Sequence, residues 1–365
     1  MSVASQAPEY IRAISPYQPG KPISELAREM GIPEAGIVKL ASNENPLGMG
    51  PLAREAALRS LSGIERYPDG NGFALKSALS RRYGVKPAQL VLGNGSNDVL
   101  ELAARAFLAP GLSGVFSEYA FAVYPLAINA VGAHGIQVPA KDYGHDLDTM
   151  AAAIRPDTRV VFVANPNNPT GTFVHGPELE AFLARVPADV LVVLDEAYTE
   201  YLNADQHYDS LAWLERFPNL LVSRTFSKAY GLAGLRVGYG IAHPDVADLM
   251  NRVRQPFNVS SVALAAAEAA LADEEFLAQS ARLNARGMGQ ITEALAELEL
   301  EWIPSAGNFV TFKVGDAAAV NASLLRQGVI VRPIAGYGMP EWLRVSIGLP
   351  EENARFIAAL KQALA

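Results

Sequence analysis

Seven short, nearly continuous apolar runs mark the first two thirds of the chain, at 90–92, 114–116, 135–138, 160–164, 190–194, 220–223 and 237–241. Runs of this length without polar alternation suit strands buried on both faces. Helical patterns lie between most of them, as at 97–108, 177–185 and 245–254. Strand–helix alternation predicts an α/β architecture around a mostly parallel sheet. Ligands of such sheets sit beyond the C-terminal ends of the strands. Chemistry is therefore to be sought just after each run.

The flanking segments read differently. Residues 1–50 are rich in Pro and Gly and poorly periodic, as expected of an arm that wraps a body. After about residue 258 a long helical stretch, 260–298, precedes apolar runs at 309–314, 329–333 and 343–347 and a final helix at 351–364. This predicts a smaller α+β unit. The length, 365 residues, suits two domains.

Composition removes several function classes. Thirty Lys and Arg against 38 Asp and Glu give a net charge of −8, with no basic block. That argues against nucleic acid or an anionic membrane as the partner. The absence of cysteine excludes disulfides, thiolate metal sites and cysteine nucleophiles. The first 17 residues lack a signal-peptide core, and 262–271, the richest apolar stretch, is too short to span a bilayer. A cytoplasmic protein is expected. No complete dinucleotide-binding glycine motif, phosphate-binding P-loop or nucleophile elbow is present. The five histidines show no metal-ligand pairing, so no metal is expected.

Four strand ends carry polar residues. The run 90–92 leads into Gly93-Asn94-Gly95-Ser96-Asn97-Asp98, and 160–164 into Asn165-Pro166-Asn167-Asn168-Pro169-Thr170-Gly171. The run 190–194 leads into Asp195-Glu196-Ala197-Tyr198, and 220–223 into Arg224-Thr225-Phe226-Ser227-Lys228. Each has a plain alternative: a turn aspartate, a solvated lysine, a tight glycine turn. Their joint placement at one end of a sheet favours a site. Pyridoxal phosphate needs such a set: an amine for a Schiff base, an acid for the pyridine nitrogen and a phosphate cup. Lys228 would supply the amine and Asp195 the acid. Backbone N–H groups at Gly95, Ser96 and Asn97, opening a helix, would hold the phosphate.

At these residues the chain resembles the fold-type-I pyridoxal-phosphate aminotransferases. Asn-Asn-Pro-Thr-Gly, Asp-Glu-Ala-Tyr, Ser-Lys and Gly-Leu-Arg follow in that family's order and spacing, and the likeness covers essentially the whole chain. Within the class it is most similar to the histidinol-phosphate aminotransferases. The supporting stretches are Ser15-Pro16-Tyr17, Leu40-Ala41-Ser42-Asn43-Glu44-Asn45-Pro46-Leu47-Gly48, Arg66-Tyr67-Pro68-Asp69-Gly70 and Leu343-Arg344-Val345-Ser346-Ile347-Gly348.

The resemblance implies a fold and a set of roles. The fold is a large domain around a seven-stranded, mostly parallel sheet, 41–258, with a smaller α+β domain at 259–365 that residues 1–40 help to build. Tyr119 would stack on the cofactor ring, although the family's Pro-Thr-Tyr reads Ser117-Glu118-Tyr119 here. Asn168 and Tyr198 would hydrogen-bond the ring oxygen. Thr225, Ser227 and Arg236 would join Gly95 and Ser96 at the phosphate. Tyr67 would reach that phosphate from a second subunit, which implies a homodimer with shared active sites. Arg344 would hold the anionic end of the substrate, with Tyr17, Asn43 and Arg332 beside it. Tyr17 and Tyr67 could instead merely pack, and the two arginines could be surface ion pairs.

The implied reaction is ping-pong transamination, with Lys228 moving the Cα proton of an amino donor and 2-oxoglutarate as the second substrate. The implied donor is L-histidinol phosphate, giving imidazole acetol phosphate. An aromatic amino-acid aminotransferase is the nearest alternative, because phenylalanine and tyrosine also present a flat ring and an anion. A phosphate-substrate decarboxylase on the same fold is a second. A non-catalytic ligand sensor is disfavoured, since Lys228 and Asp195 are both present and no fused DNA-binding segment fits before residue 40.

Overall fold

The computed structural model describes residues 2–365. The first strand, β1 (Val38–Lys39), is short. Seven strands then share one sheet: β2 (Leu90–Gly93), β3 (Ser113–Ser117), β4 (His134–Val138), β5 (Thr158–Ala164), β6 (Leu191–Asp195), β7 (Leu220–Thr225) and β8 (Gly238–Ala242). Their order is β2-β8-β7-β6-β5-β3-β4. β8 runs antiparallel to both β2 and β7, and the other neighbours are parallel. This is the predicted mostly parallel α/β sheet, and its strands coincide with the seven apolar runs.

Successive side chains point to opposite faces of a strand. Val161, Val163, Val192, Leu194 and Val222 enter a core on one face of the sheet. Val160, Phe162, Leu191, Val193 and Leu221 enter a second core on the other. Both faces are dry, which is why the runs lack polar alternation.

Five further strands follow: β9 (Trp302–Ile303), β10 (Phe309–Lys313), β11 (Val329–Ile330), β12 (Arg332–Pro333) and β13 (Trp342–Ser346). Four form an antiparallel sheet in the order β12-β13-β10-β9. Helices Glu274–Glu297 and Pro350–Leu364 cover it, setting Ile291, Leu295, Phe356 and Leu360 against Val310, Phe312, Leu343 and Val345. β1 pairs in parallel with β11, Val38 opposite Val329, which fastens the N-terminal segment to the C-terminal third.

Two expectations are corrected. The helical stretch at 260–298 is two helices, Ser261–Ala270 and Glu274–Glu297. Asp273 separates them, because its side chain accepts from Phe276 N and caps the second helix. The unperiodic reading of 1–50 misses the helix Ile23–Met30, which turns Leu26 into a small core with Ile37, Ala41 and Ile330. Gly31, at φ +65°, ends it.

Candidate active site

Parallel register levels the strand ends. Ala164 on β5 lies opposite Asp195 on β6, and Asp195 lies opposite Ser223 on β7. The Asn-Pro loop, Asp195 and the Thr225–Lys228 turn therefore emerge side by side. A cavity of ≈ 180 Å³ opens there. Ser96, Asn97, Asn168, Asp195, Tyr198, Thr225, Ser227, Lys228 and Arg236 line it from the large sheet. Tyr17, Asn43, Arg332 and Arg344 line it from the N-terminal segment and the small sheet.

Lys228 is held inside. Its Nζ donates to the carbonyl of Ser42 at 3.0 Å and sits 5.7 Å from the centre of the Tyr198 ring. Burial, aided by the nearby Arg344 charge, lowers its pKa to about 7. Asp195 is 5% exposed. Its Oδ2 accepts from the Tyr124 hydroxyl at 2.9 Å, while Oδ1 has no protein partner. Burial raises its pKa to about 6.

Tyr198 joins the two halves of the site. Its hydroxyl oxygen accepts from Asn43 Nδ2 at 3.0 Å and from Asn168 Nδ2 at 3.2 Å. With two hydrogen bonds accepted, its own proton remains free to donate. Burial raises its pKa to about 12, so that proton stays on at neutral pH. Asn43 is fixed in turn by Ser346, whose Oγ accepts from Asn43 N at 2.8 Å and donates to Asn43 Oδ1 at 2.9 Å.

The arginines form two separate groups. Arg236 donates to Ser227 Oγ at 3.4 Å and to the Ala233 carbonyl at 3.1 Å. It lies against Gly95, where an added Cβ would come within 2.4 Å of its Nη2. Gly95, at φ +80°, opens helix Ser96–Phe107, whose N-terminus has no side-chain cap. Behind that terminus is Gly238 on β8, where a Cβ would come within 2.5 Å of Ser96 N. In the second group, Arg344 is 6% exposed and donates to Asn168 Oδ1 at 2.5 Å and to the Ala41 carbonyl at 2.8 Å. Its Nε has no partner. Arg332 donates to the Tyr17 hydroxyl at 3.3 Å and to the Gln18 carbonyl at 2.7 Å.

Arg344, Arg236 and Arg332 have no salt bridge among the described residues. Asp195 is the one acidic residue in the cavity wall, against Lys228, Arg236, Arg332 and Arg344. A buried cation left without a counter-charge is costly. Such a wall calls for anionic occupants.

Three sequence-predicted residues do not line the cavity: Tyr119, Tyr67 and Gly95, which lies against Arg236. Tyr119, at φ +53°, packs near Tyr143, with ring centres 6.0 Å apart, and its carbonyl accepts from Asn167 Nδ2. Tyr67 is 83% exposed and stacks on Phe257, centre to centre at 4.8 Å. Sequence reasoning missed Ser42, Phe121, Tyr124 and Tyr337, all in the wall. Ser42 lay inside a quoted motif, whereas Tyr124 and Tyr337 carry no motif signal.

Residues 35–360 match the family model described as aminotransferase class I and II. The chain is 65% identical over 362 residues to histidinol-phosphate aminotransferase 2 of Ralstonia nicotianae, covering 98% of this chain and 97% of that one. It is 66% identical over 362 residues to histidinol-phosphate aminotransferase 1 of Thiobacillus denitrificans, covering 99% and 94%. Among solved structures, it resembles the histidinol-phosphate aminotransferase of Sinorhizobium meliloti in complex with pyridoxal-5'-phosphate. The TM-score is 0.90 at 30% identity, covering 99% of this chain and 98% of that one. A lysine and an aspartate at adjacent strand ends, in a cationic cavity, thus sit in a chain that belongs to the class I and II aminotransferases, among the histidinol-phosphate aminotransferases.

Proposed function

We propose that the chain transfers the amino group of L-histidinol phosphate to 2-oxoglutarate, yielding imidazole acetol phosphate and L-glutamate, with pyridoxal 5'-phosphate as cofactor. The observation that carries this reading is the cationic wall with its two arginine groups, one at a helix N-terminus and one on the paired strands β12 and β13. Two anionic groups must be held at once, the phosphate of the cofactor and the phosphate or carboxylate of a substrate. The relatives' names supply the donor.

The residues fit the cofactor. Asp195 Oδ1, buried and unpartnered, suits a protonated ring nitrogen. The free Tyr198 proton and Asn168 suit the ring oxygen. Gly95, Ser96, Asn97, Thr225, Ser227 and Arg236 suit the phosphate, since N–H groups and a guanidinium favour an anion there. Tyr119, outside the cavity wall, is not placed to stack on the ring; Phe121, in the wall, is the aromatic at hand there.

When bound, pyridoxal phosphate draws electrons from the substrate's Cα. The chain does the rest. Arg344, with Arg332, Tyr17 and Asn43 around it, orients the substrate by its anionic end. Lys228 takes the Cα proton and returns one, for which its amine must be neutral. The lowered pKa makes that form available near pH 7.

The working unit we propose is a homodimer. Tyr67, Phe257 and Phe73 are 83%, 45% and 70% exposed, an unusual share of aromatic surface to leave in water. Tyr67 would complete the phosphate site of the partner copy. We place the enzyme in the cytoplasm, in line with a chain that has no cysteine. Among the described residues, no helix is long and apolar enough to cross a membrane. We divide the chain into a large domain, 41–258, and a small one, 259–365, with 1–40 contributing to the small one.

A purified-protein assay of histidinol phosphate against phenylalanine, each with 2-oxoglutarate, tests the reading. A kcat/KM at least ~100-fold higher for histidinol phosphate is expected, because a site built for one polar end group rejects a mismatched one. A preference for phenylalanine would assign the chain to aromatic amino-acid transamination. Turnover with release of CO2 and no need for a keto acid would make it a lyase.

A further inference from the structure

We propose that Tyr124 is the positioning residue for Asp195: its hydroxyl fixes one carboxylate oxygen so that the other faces the cofactor's ring nitrogen. The proposal rests on the cofactor role given to Asp195 above.

Tyr124 lies in helix Val123–Ala130, after β3, and is fully buried. Its ring is clamped. It stacks on Phe162 of β5 at 4.8 Å and 12° between planes, and meets Phe121 edge-on at 5.9 Å. The clamp delivers the hydroxyl to Asp195 Oδ2 at 2.9 Å.

Packing alone does not account for this residue. A phenylalanine would fill the same space without burying a hydroxyl, which costs free energy unless it is paired. The hydroxyl also acts on a specific freedom of its partner. A carboxylate turns about its Cβ–Cγ bond in a broad, twofold potential. The hydroxyl on Oδ2, with the Ala197 backbone N–H also favouring the carboxylate, makes the two oxygens unequal and leaves Oδ1 as the free acceptor. A phenol-to-carboxylate bond is charge-assisted and therefore strong. It also opposes the burial that favours the protonated acid at Asp195. Tyr124's own burial keeps its proton on the oxygen throughout the working range.

The test is a double-mutant cycle read in cofactor affinity. Cofactor-free Tyr124→Phe, Asp195→Asn and the double variant are titrated with pyridoxal phosphate beside the wild type. Tyr124→Phe should bind about tenfold more weakly, the worth of one buried hydrogen bond to a charged group. Asp195→Asn should bind about 100-fold more weakly. The double variant should match Asp195→Asn within about twofold, since Tyr124 acts only through that carboxylate. A control, Phe162→Leu, loosens the ring clamp but keeps the hydroxyl. It should lower the melting temperature more than it lowers affinity.

Independent, additive losses in the cycle would overturn the proposal. So would wild-type affinity in Tyr124→Phe beside a loss in Asp195→Asn, or an affinity loss in Phe162→Leu equal to that of Tyr124→Phe. Wild-type affinity in Asp195→Asn would strike at the role of Asp195 itself, and the role of Tyr124 would fall with it.

Discussion

Arg344 donates to Asn168 Oδ1 at 2.5 Å, so a strand of the small sheet is tied directly to the Asn-Pro loop that follows β5. Asn168 in turn donates to Tyr198. The arginine proposed to hold the substrate and the residues proposed to hold the cofactor ring are thus links of one hydrogen-bonded chain.

Arg344→Ala should lower kcat/KM for histidinol phosphate by ~100-fold or more. Two charge-assisted hydrogen bonds to an anion are worth roughly 3 kcal/mol together, and 1.4 kcal/mol is tenfold. Arg344→Lys should recover little, because an ammonium cannot copy the planar two-bond contact. Affinity for pyridoxal phosphate should move only slightly, through Asn168. Steady-state kinetics with both donors and a cofactor titration check this. Unchanged kinetics would make Arg344 a tie between sheets and nothing more.

Lys228→Ala should abolish turnover, by at least ~10⁴-fold, and leave non-covalent cofactor binding measurable. The wild type should also show the pH signature of its amine. Lowering the pKa to about 7 means that the neutral form is scarce below pH 7 and dominant above it. Capture of pyridoxal phosphate by cofactor-free protein should accelerate as pH rises from 6 to 8 and then level off. A rate still climbing towards pH 10 would place the lysine in an ordinary, solvated setting.

Asp195→Asn should lose about 100- to 1,000-fold in kcat at saturating cofactor, the usual scale for one charge-assisted contact in a dry site. It should also change the stability of the cofactor-free protein. Asp195 has a folded pKa of about 6, raised from 3.8. Between those values the unfolded chain has released the proton that the folded one keeps. This group therefore lowers stability as pH rises from about 4 to 6, by roughly 3 kcal/mol in all. Asparagine should remove that downward slope in denaturant titrations, and a slope left intact would contradict the assignment.

Tyr67 should act across subunits. Tyr67→Ala and Lys228→Ala, each inactive alone, should regain partial activity when mixed and allowed to exchange. A hybrid dimer has one site with both residues intact. No recovery despite proven exchange, followed by native mass spectrometry, would remove Tyr67 from the site.

The large sheet was legible because its strands are buried on both faces, and such strands leave uninterrupted apolar runs. The polar residues at their ends were legible for the same reason: they break those runs abruptly. Tyr124 was not, because its meaning depends on a partner 71 positions away that only the sheet topology brings near. Tyr337, in the turn after β12, depends likewise on the small sheet folding back over the cavity. Helix Ile23–Met30 was hidden by the Pro22 and Gly31 that bound it. These residues end the helix cleanly, yet in sequence they read as loop.

Gly238 gives the phosphate cup a peculiar genetic fragility. The helix N-terminus at Ser96 rests on bare strand backbone, and even one methyl group there would meet Ser96 N at 2.5 Å. Any amino-acid replacement of glycine brings in a larger side chain. A single nucleotide change beneath the site, touching no residue that faces cofactor or substrate, would lift the helix from its seat. At position 238 there is no side chain small enough to serve as an intermediate step.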